Sequence, residues 1–293
     1  MEASPETATR AGSRGSWGLG KAETLRLLPI FLPVALAGLA ALGAAIWTYA
    51  VNPPSIETAA GTAVFLAAAI FAEAYPVPVE RLPAGSVSLA AVFILGAGIL
   101  FGWEAAVIVG LLTRVTLEIV QDRPLVKLIY NGSVYAVAGL ACGLVVAPFA
   151  EHPPVGERIL QVVLGALAFY LVNIPLIAAI VSRWAGEPFR IVLATSMVGT
   201  AVSFAIMASV SLALVALWSQ SPVFAVALAG PLIAVALHQR ATHEALRAMR
   251  LAQTDPLTGL GNHRHFQEQL QTKLESAEQT RLPLSVVDRK SVV

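Results

Sequence analysis

The sequence predicts an all-α polytopic membrane bundle of about eight transmembrane helices. A cytoplasmic linker helix follows, and then the first helix and strand of a truncated α/β domain. Three observations carry this expectation. Of 293 residues, 57% are hydrophobic and only 13% charged, where a soluble domain carries about 25% charged residues. The apolar residues fall in long runs broken by Pro, Gly and Asn, which is how membrane spans and their loops read. The basic residues also segregate to one side of the alternating runs.

Residues 1–26 form a polar tail with Arg10, Arg14, Lys21 and Arg26, rich in Ala, Gly, Ser and Thr. A secretory signal places its apolar stretch almost at the start, so this tail reads as disordered and cytoplasmic. The eight expected spans are 27–50, 58–74, 87–101, 105–120, 125–149, 159–181, 191–218 and 223–237. The third and eighth are the shortest. Turn formers separate them: Asn52-Pro53-Pro54, Pro76 and Pro78, Pro83 and Gly85, Pro153-Pro154, Gly186 and Pro188, and Pro222. With the N-terminus inside, twelve Arg and Lys residues fall on the inner side and one, Arg158, outside. Trp47, Trp103, Trp184 and Trp218 stand at expected span ends, where indole meets the headgroup layer. Net charge is +1, so no global field recruits nucleic acid. The single cysteine, Cys142, excludes disulfide and cysteine-metal frameworks.

Small residues recur within the spans, as around Gly38 and from Gly139 to Gly143. They let helices approach closely in lipid, or else they line a ligand cavity. Ionisable groups inside a bilayer are costly and tend to be paired or functional. Glu73 ends the second span. Arg114 and Glu118 are four apart on the fourth, so they share a helical face, as do Lys127 and Asn131 on the fifth. These five residues form a candidate intramembrane polar network near the inner face. It reads as a salt-bridged belt anchoring helix ends, or as a relay toward an output domain. Asn173 with Pro175 interrupts the sixth span as a kink, hydrogen-bonded or beside a cavity. No metal constellation appears. His238 and His243, His263 and His265, and the lone His152 lack a metal-binding arrangement.

Residues 238–253, HQRATHEALRAMRLAQ, are mostly strong helix formers with an apolar seam at three- and four-residue spacing. They suit a short parallel coiled coil or a solvated helix. Thr254 or Asp255 offers a helix N-cap, and Gly259 and Gly261 supply turn freedom. Residues 265–277 read as an amphipathic helix with Phe266, Leu270 and Leu274 on one face. Residues 282–287 read as the start of a strand with Pro283 at its edge.

The stretch TDPLTGLGNHR, residues 254–264, resembles the lead-in motif of GGDEF domains, which join two GTP molecules into cyclic di-GMP. The matching residues are Asp255, Leu257, Thr258, Gly259, Leu260, Asn262 and Arg264; His263 departs from the family pattern. The resemblance covers residues 253–287. It implies a structural and signalling role for these residues, not catalysis. It also implies a membrane-bound diguanylate cyclase, homodimeric through its linker helix, in a bacterial inner membrane with both termini cytoplasmic. GTP and Mg²⁺ are expected only for an intact domain. The family's metal-binding and GGDEF residues are absent, so this chain is expected to be inactive, with no catalytic or metal residues of its own. Residues 288–293, DRKSVV, look foreign and match the translation of a sequencing adapter. The chain is thus expected to be truncated just inside the domain, by an assembly edge or naturally. Two other readings stay open: a transporter or permease-like bundle, and an inactive GGDEF receptor. The sensed ligand is unknown.

Overall fold

In the computed structural model, residues 21–74, 77–78, 86–87, 89–150 and 153–225 are described, with positions 234, 241, 262, 266–267, 270–271, 273–274, 283 and 285 beyond them. The chain divides into two units, Met1–Ala236 and Leu237–Val293.

Seven helices of the first unit have both ends among the described residues: α1 (Lys21–Val51), α2 (Ile56–Ala74), α3 (Ala90–Leu100), α4 (Trp103–Val120), α5 (Leu125–Val146), α6 (Val155–Ala185) and α7 (Phe189–Gln220). Between α2 and α3, β1 (Val77–Pro78) pairs antiparallel with β2 (Ser86–Val87). Pro124, Pro154 and Pro188 each stand at the N-cap of the next helix, where a missing N–H costs nothing. Gly186 closes α6 at φ 73, a left-handed position open to glycine without a Cβ penalty.

Among the described residues, five helices are long and apolar enough to cross a membrane by length and composition: Leu25–Val51, Ile56–Ala74, Leu125–Val146, Val155–Ala185 and Phe189–Gln220. This corrects the expected count of eight. The apolar run at 87–101 gives a helix of only 11 residues, about 16 Å long, where a bilayer core is about 30 Å thick. Strand β2 takes its start, and the turn at Gly102 (φ 94) ends it. Helix α4 has 18 residues but carries Glu104, Arg114 and Glu118. The expected eighth span falls mostly outside the described residues; residues 222–225 and Ala234 are helical. Helix α1 already begins at Lys21, within the stretch read from sequence as tail.

The expected α/β ending is also corrected. Among the described residues, the strands are β1 and β2 alone, and Pro283 and Ser285 belong to neither. A strand at 282–287 would need a ladder partner for its N–H and C=O groups, and none is present among them. Phe266, Gln267, Leu270, Gln271, Lys273 and Leu274 are helical, in keeping with the helix expected at 265–277.

Helix α3 lies at the centre of the first unit. Every residue from Ala90 to Gly98 is buried, as befits a helix apolar on all sides. Phe65 of α2 packs edge-on against Phe93, Phe101 and Trp218, with ring centroids at 6.0, 5.3 and 4.9 Å. Helices α4 and α5 pack closely: a Cβ on Gly139 would stand 2.7 Å from the Ala106 carbonyl oxygen, and one on Gly143 would collide with Trp103. The small residues of α5 therefore serve helix contact. Apolar side chains point outward from the long helices, among them Leu36, Ile46, Val198 and Val202, so these surfaces are compatible with a lipid bilayer.

Candidate functional site

The polar residues inside this apolar bundle meet where α2 and α4 end and α5 begins. Arg114 is at the centre. Its Nη1 donates to Glu73 Oε1 in a close ion pair, and its Nη2 donates to Glu118 Oε1 at 3.0 Å. The two carboxylates come from different helices, so one guanidinium bridges α2 to α4. The fixed fork of the guanidinium suits this double task, which the single ammonium of lysine cannot reproduce. Asn131 of α5 adds a third helix, with Nδ2 donating to the same Glu118 Oε1 at 2.8 Å. The Arg114 guanidinium also lies over the Tyr135 ring, 5.2 Å from its centroid.

Local structure explains these positions. One helical turn separates Arg114 from Glu118, and another separates Asn131 from Tyr135, so each pair shares a face. After α4 the chain reverses at Asp122, whose φ of 52 is unusual for a residue with a side chain. The reversal lets the Arg123 N–H bond the Glu118 carbonyl at 3.0 Å. It also brings Arg123 Nη1 to 3.5 Å from Glu118 Oε1.

Burial sets the energetics. The Glu118 side chain is 0% exposed, that of Glu73 5%, that of Arg114 16% and that of Arg123 44%. Two carboxylates and two guanidinium groups sum to zero formal charge, which keeps the cluster tolerable in a low-dielectric interior. Satisfaction is nonetheless incomplete. Glu73 Oε2, Glu118 Oε2 and Arg114 Nε are buried without a hydrogen-bond partner. Both carboxylates bind through one oxygen, so the network holds together without being saturated.

Of the residues anticipated here, Glu73, Arg114, Glu118 and Asn131 meet. Lys127 does not: it is exposed one turn before Asn131 and makes no contact with the cluster among the described residues. Arg123 and Tyr135 join it. Neither was anticipated from sequence: Tyr135 lies four residues after Asn131 on the same face, a signal that could have found it, whereas nothing in the spacing of Arg123 announced the reversal at Asp122.

Asn173 is buried on α6 with Nδ2 unpartnered, and α6 continues as helix through Pro175. Elsewhere, Tyr130 OH donates to the Leu176 carbonyl at 2.7 Å, and Tyr170 OH to that of Met197 at 2.6 Å. These bonds tie α5 to α6 and α6 to α7. Among the described residues, no group of three or more His, Cys, Asp or Glu side chains could hold a metal. Cys142 is buried and free.

His152, His238, His243, His263 and His265 lie outside the described residues, as does residue 238–253 apart from a helical Ala241. Of the lead-in motif, Asp255, Leu257, Thr258, Gly259, Leu260 and Arg264 lie outside them too. Asn262 is described: it is partly buried, and its carbonyl accepts the Phe266 N–H at 3.0 Å. Comparison with family models, curated proteins and solved structures returns no match.

Proposed function

We propose that the chain is a membrane-bound signalling protein of the diguanylate cyclase type, with the helical bundle as its sensor. The observation that carries the sensor role is the charge cluster joining α2, α4 and α5 through Arg114. A purely structural bundle gains little from buried charges, since apolar residues of similar volume often do as well. A cluster with unused donors and acceptors can exchange partners when helices shift, which suits a relay. The link to cyclic di-GMP rests on the TDPLTGLGNHR stretch and its likeness to the GGDEF lead-in.

In this reading the chain sits in a bacterial inner membrane with its N-terminus cytoplasmic, and a cytoplasmic C-terminus requires one more crossing beyond the five helices named above. The charge cluster then lies near the cytoplasmic leaflet. A stimulus in the bundle alters how the linker helices of two copies meet, and with them two GTP-loaded output modules. GTP and Mg²⁺ belong to those modules.

A transporter-like bundle is the second reading, favoured by the short, largely buried α3, since transporters use broken helices near the midplane. An inactive GGDEF receptor is the third. The genomic reading frame beyond the Val287 codon separates the first from the second. Continuation into a metal-binding Asp and a Gly-Gly-Asp/Glu-Glu-Phe turn supports the cyclase, and continuation into unrelated sequence removes it. Synthesis of cyclic di-GMP from GTP and Mg²⁺ by that product separates cyclase from receptor.

A further inference from the structure

We infer that the end of the bundle where α1 begins carries a binding site for an anionic phospholipid, built by α1, α5 and α6. The three helices meet in an apolar junction of Ile30, Phe31 and Val34 with Tyr130, Val134 and Leu176. Phe31 stacks on Tyr130 with centroids at 6.1 Å, and the Tyr130 bond to Leu176 locks α5 to α6. Extending each packed stripe one turn toward the bundle's end gives a basic residue every time. Arg26 is four before Ile30, Lys127 three before Tyr130, and Arg183 three after Ile180, which packs at the same junction. Residues at these spacings share a helical face, so the three cations crown one junction.

All three are exposed, and among the described residues none is in an ion pair. Of the acids whose side chains are described at this end, Glu73 and Glu118 are taken up by Arg114 and Arg123, and Asp122 and Glu187 are exposed, so none forms an ion pair with the crown.

The apolar neighbours identify the ligand as a phospholipid and not a free phosphate. Leu25 beside Arg26 is 69% exposed, Leu125 near Lys127 is 61%, and Trp184 beside Arg183 is 66%. Cations at headgroup level with exposed apolar side chains at their flank match a molecule having an anionic head and acyl chains. The inference rests on the helices crossing a bilayer and is independent of the cyclic di-GMP reading.

The test is native mass spectrometry of the full chain in detergent, titrated with phosphatidylglycerol, phosphatidylcholine or inorganic phosphate. Phosphatidylglycerol should bind more tightly than phosphatidylcholine, and excess inorganic phosphate should not displace it. Neutralising Arg26→Gln, Lys127→Gln and Arg183→Gln should weaken phosphatidylglycerol about fivefold each. The charge-keeping triple variant Arg26→Lys, Lys127→Arg, Arg183→Lys should restore binding, and Arg190→Gln on α7 should leave it unchanged. Unaltered phosphatidylglycerol affinity in the triple Gln variant would overturn the site. Equal loss in Arg190→Gln, or displacement by phosphate, would do the same.

Discussion

Arg114 holds together two carboxylates that no backbone element connects. Replacing it with Met would leave Glu73 buried without a cation and Glu118 with only the half-exposed Arg123. Such uncompensated burial costs about 3–5 kcal/mol, read as a lower thermal unfolding midpoint in detergent. Glu118→Gln should cost more than Glu73→Gln, because Glu118 Oε1 collects Arg114, Asn131 and Arg123 while Glu73 meets Arg114 alone. Equal costs would mean that the two carboxylates are not distinguished in this way. At Asp122 the left-handed backbone predicts that Asp122→Val is destabilising by about 1–2 kcal/mol while Asp122→Gly is tolerated. Thermal unfolding of the two variants separates them. At this scale the sequence was readable where residues lie on one helix: the Arg114 and Glu118 pair follows from spacing alone. The convergence of Glu73 and Asn131 was visible only as a shared depth, since depth constrains which layer a residue occupies and not which neighbour it faces. Lys127 shared that layer and turned to solvent.

Helix contacts are governed by the absence of side chains. Gly143 of α5 leaves no room for a Cβ against Trp103, whereas Gly43 of α1 has nothing within 4 Å. Gly143→Ala should therefore destabilise by about 1–3 kcal/mol through overpacking. Gly43→Ala should be neutral or stabilising by up to about 1 kcal/mol, because it removes backbone freedom from an open helix. Matched thermal melts of the two variants check this contrast, and a Gly43→Ala cost as large as that of Gly143→Ala would contradict the packing. Small residues on α5 announced close packing from sequence. The length of α3 could not be foreseen, because the apolar run at 87–101 is continuous in composition. What shortens it is the β1–β2 pairing and the left-handed turn at Gly102. Two of the four tryptophans placed at span ends, Trp47 and Trp184, are 72% and 66% exposed, as contact with a headgroup layer would require. Trp218 instead packs on Phe65 and Phe101, which periodicity does not distinguish from anchoring.

For the whole molecule, composition was sufficient to identify an apolar helical bundle and insufficient to count its spans. Hydropathy cannot tell a crossing from a short buried helix such as α3, or from a charged one such as α4. The account's central claim is that a charge cluster inside this bundle governs a cyclic di-GMP output. The most direct test is the intracellular cyclic di-GMP level in bacteria expressing the gene with its full genomic reading frame, beside its Arg114→Met and Gly43→Ala variants, at matched membrane abundance. The account predicts that the parent raises cyclic di-GMP, that Arg114→Met changes the level several-fold, and that Gly43→Ala leaves it alone. Cyclic di-GMP that stays at background for the parent, or that is indifferent to Arg114→Met, would contradict it.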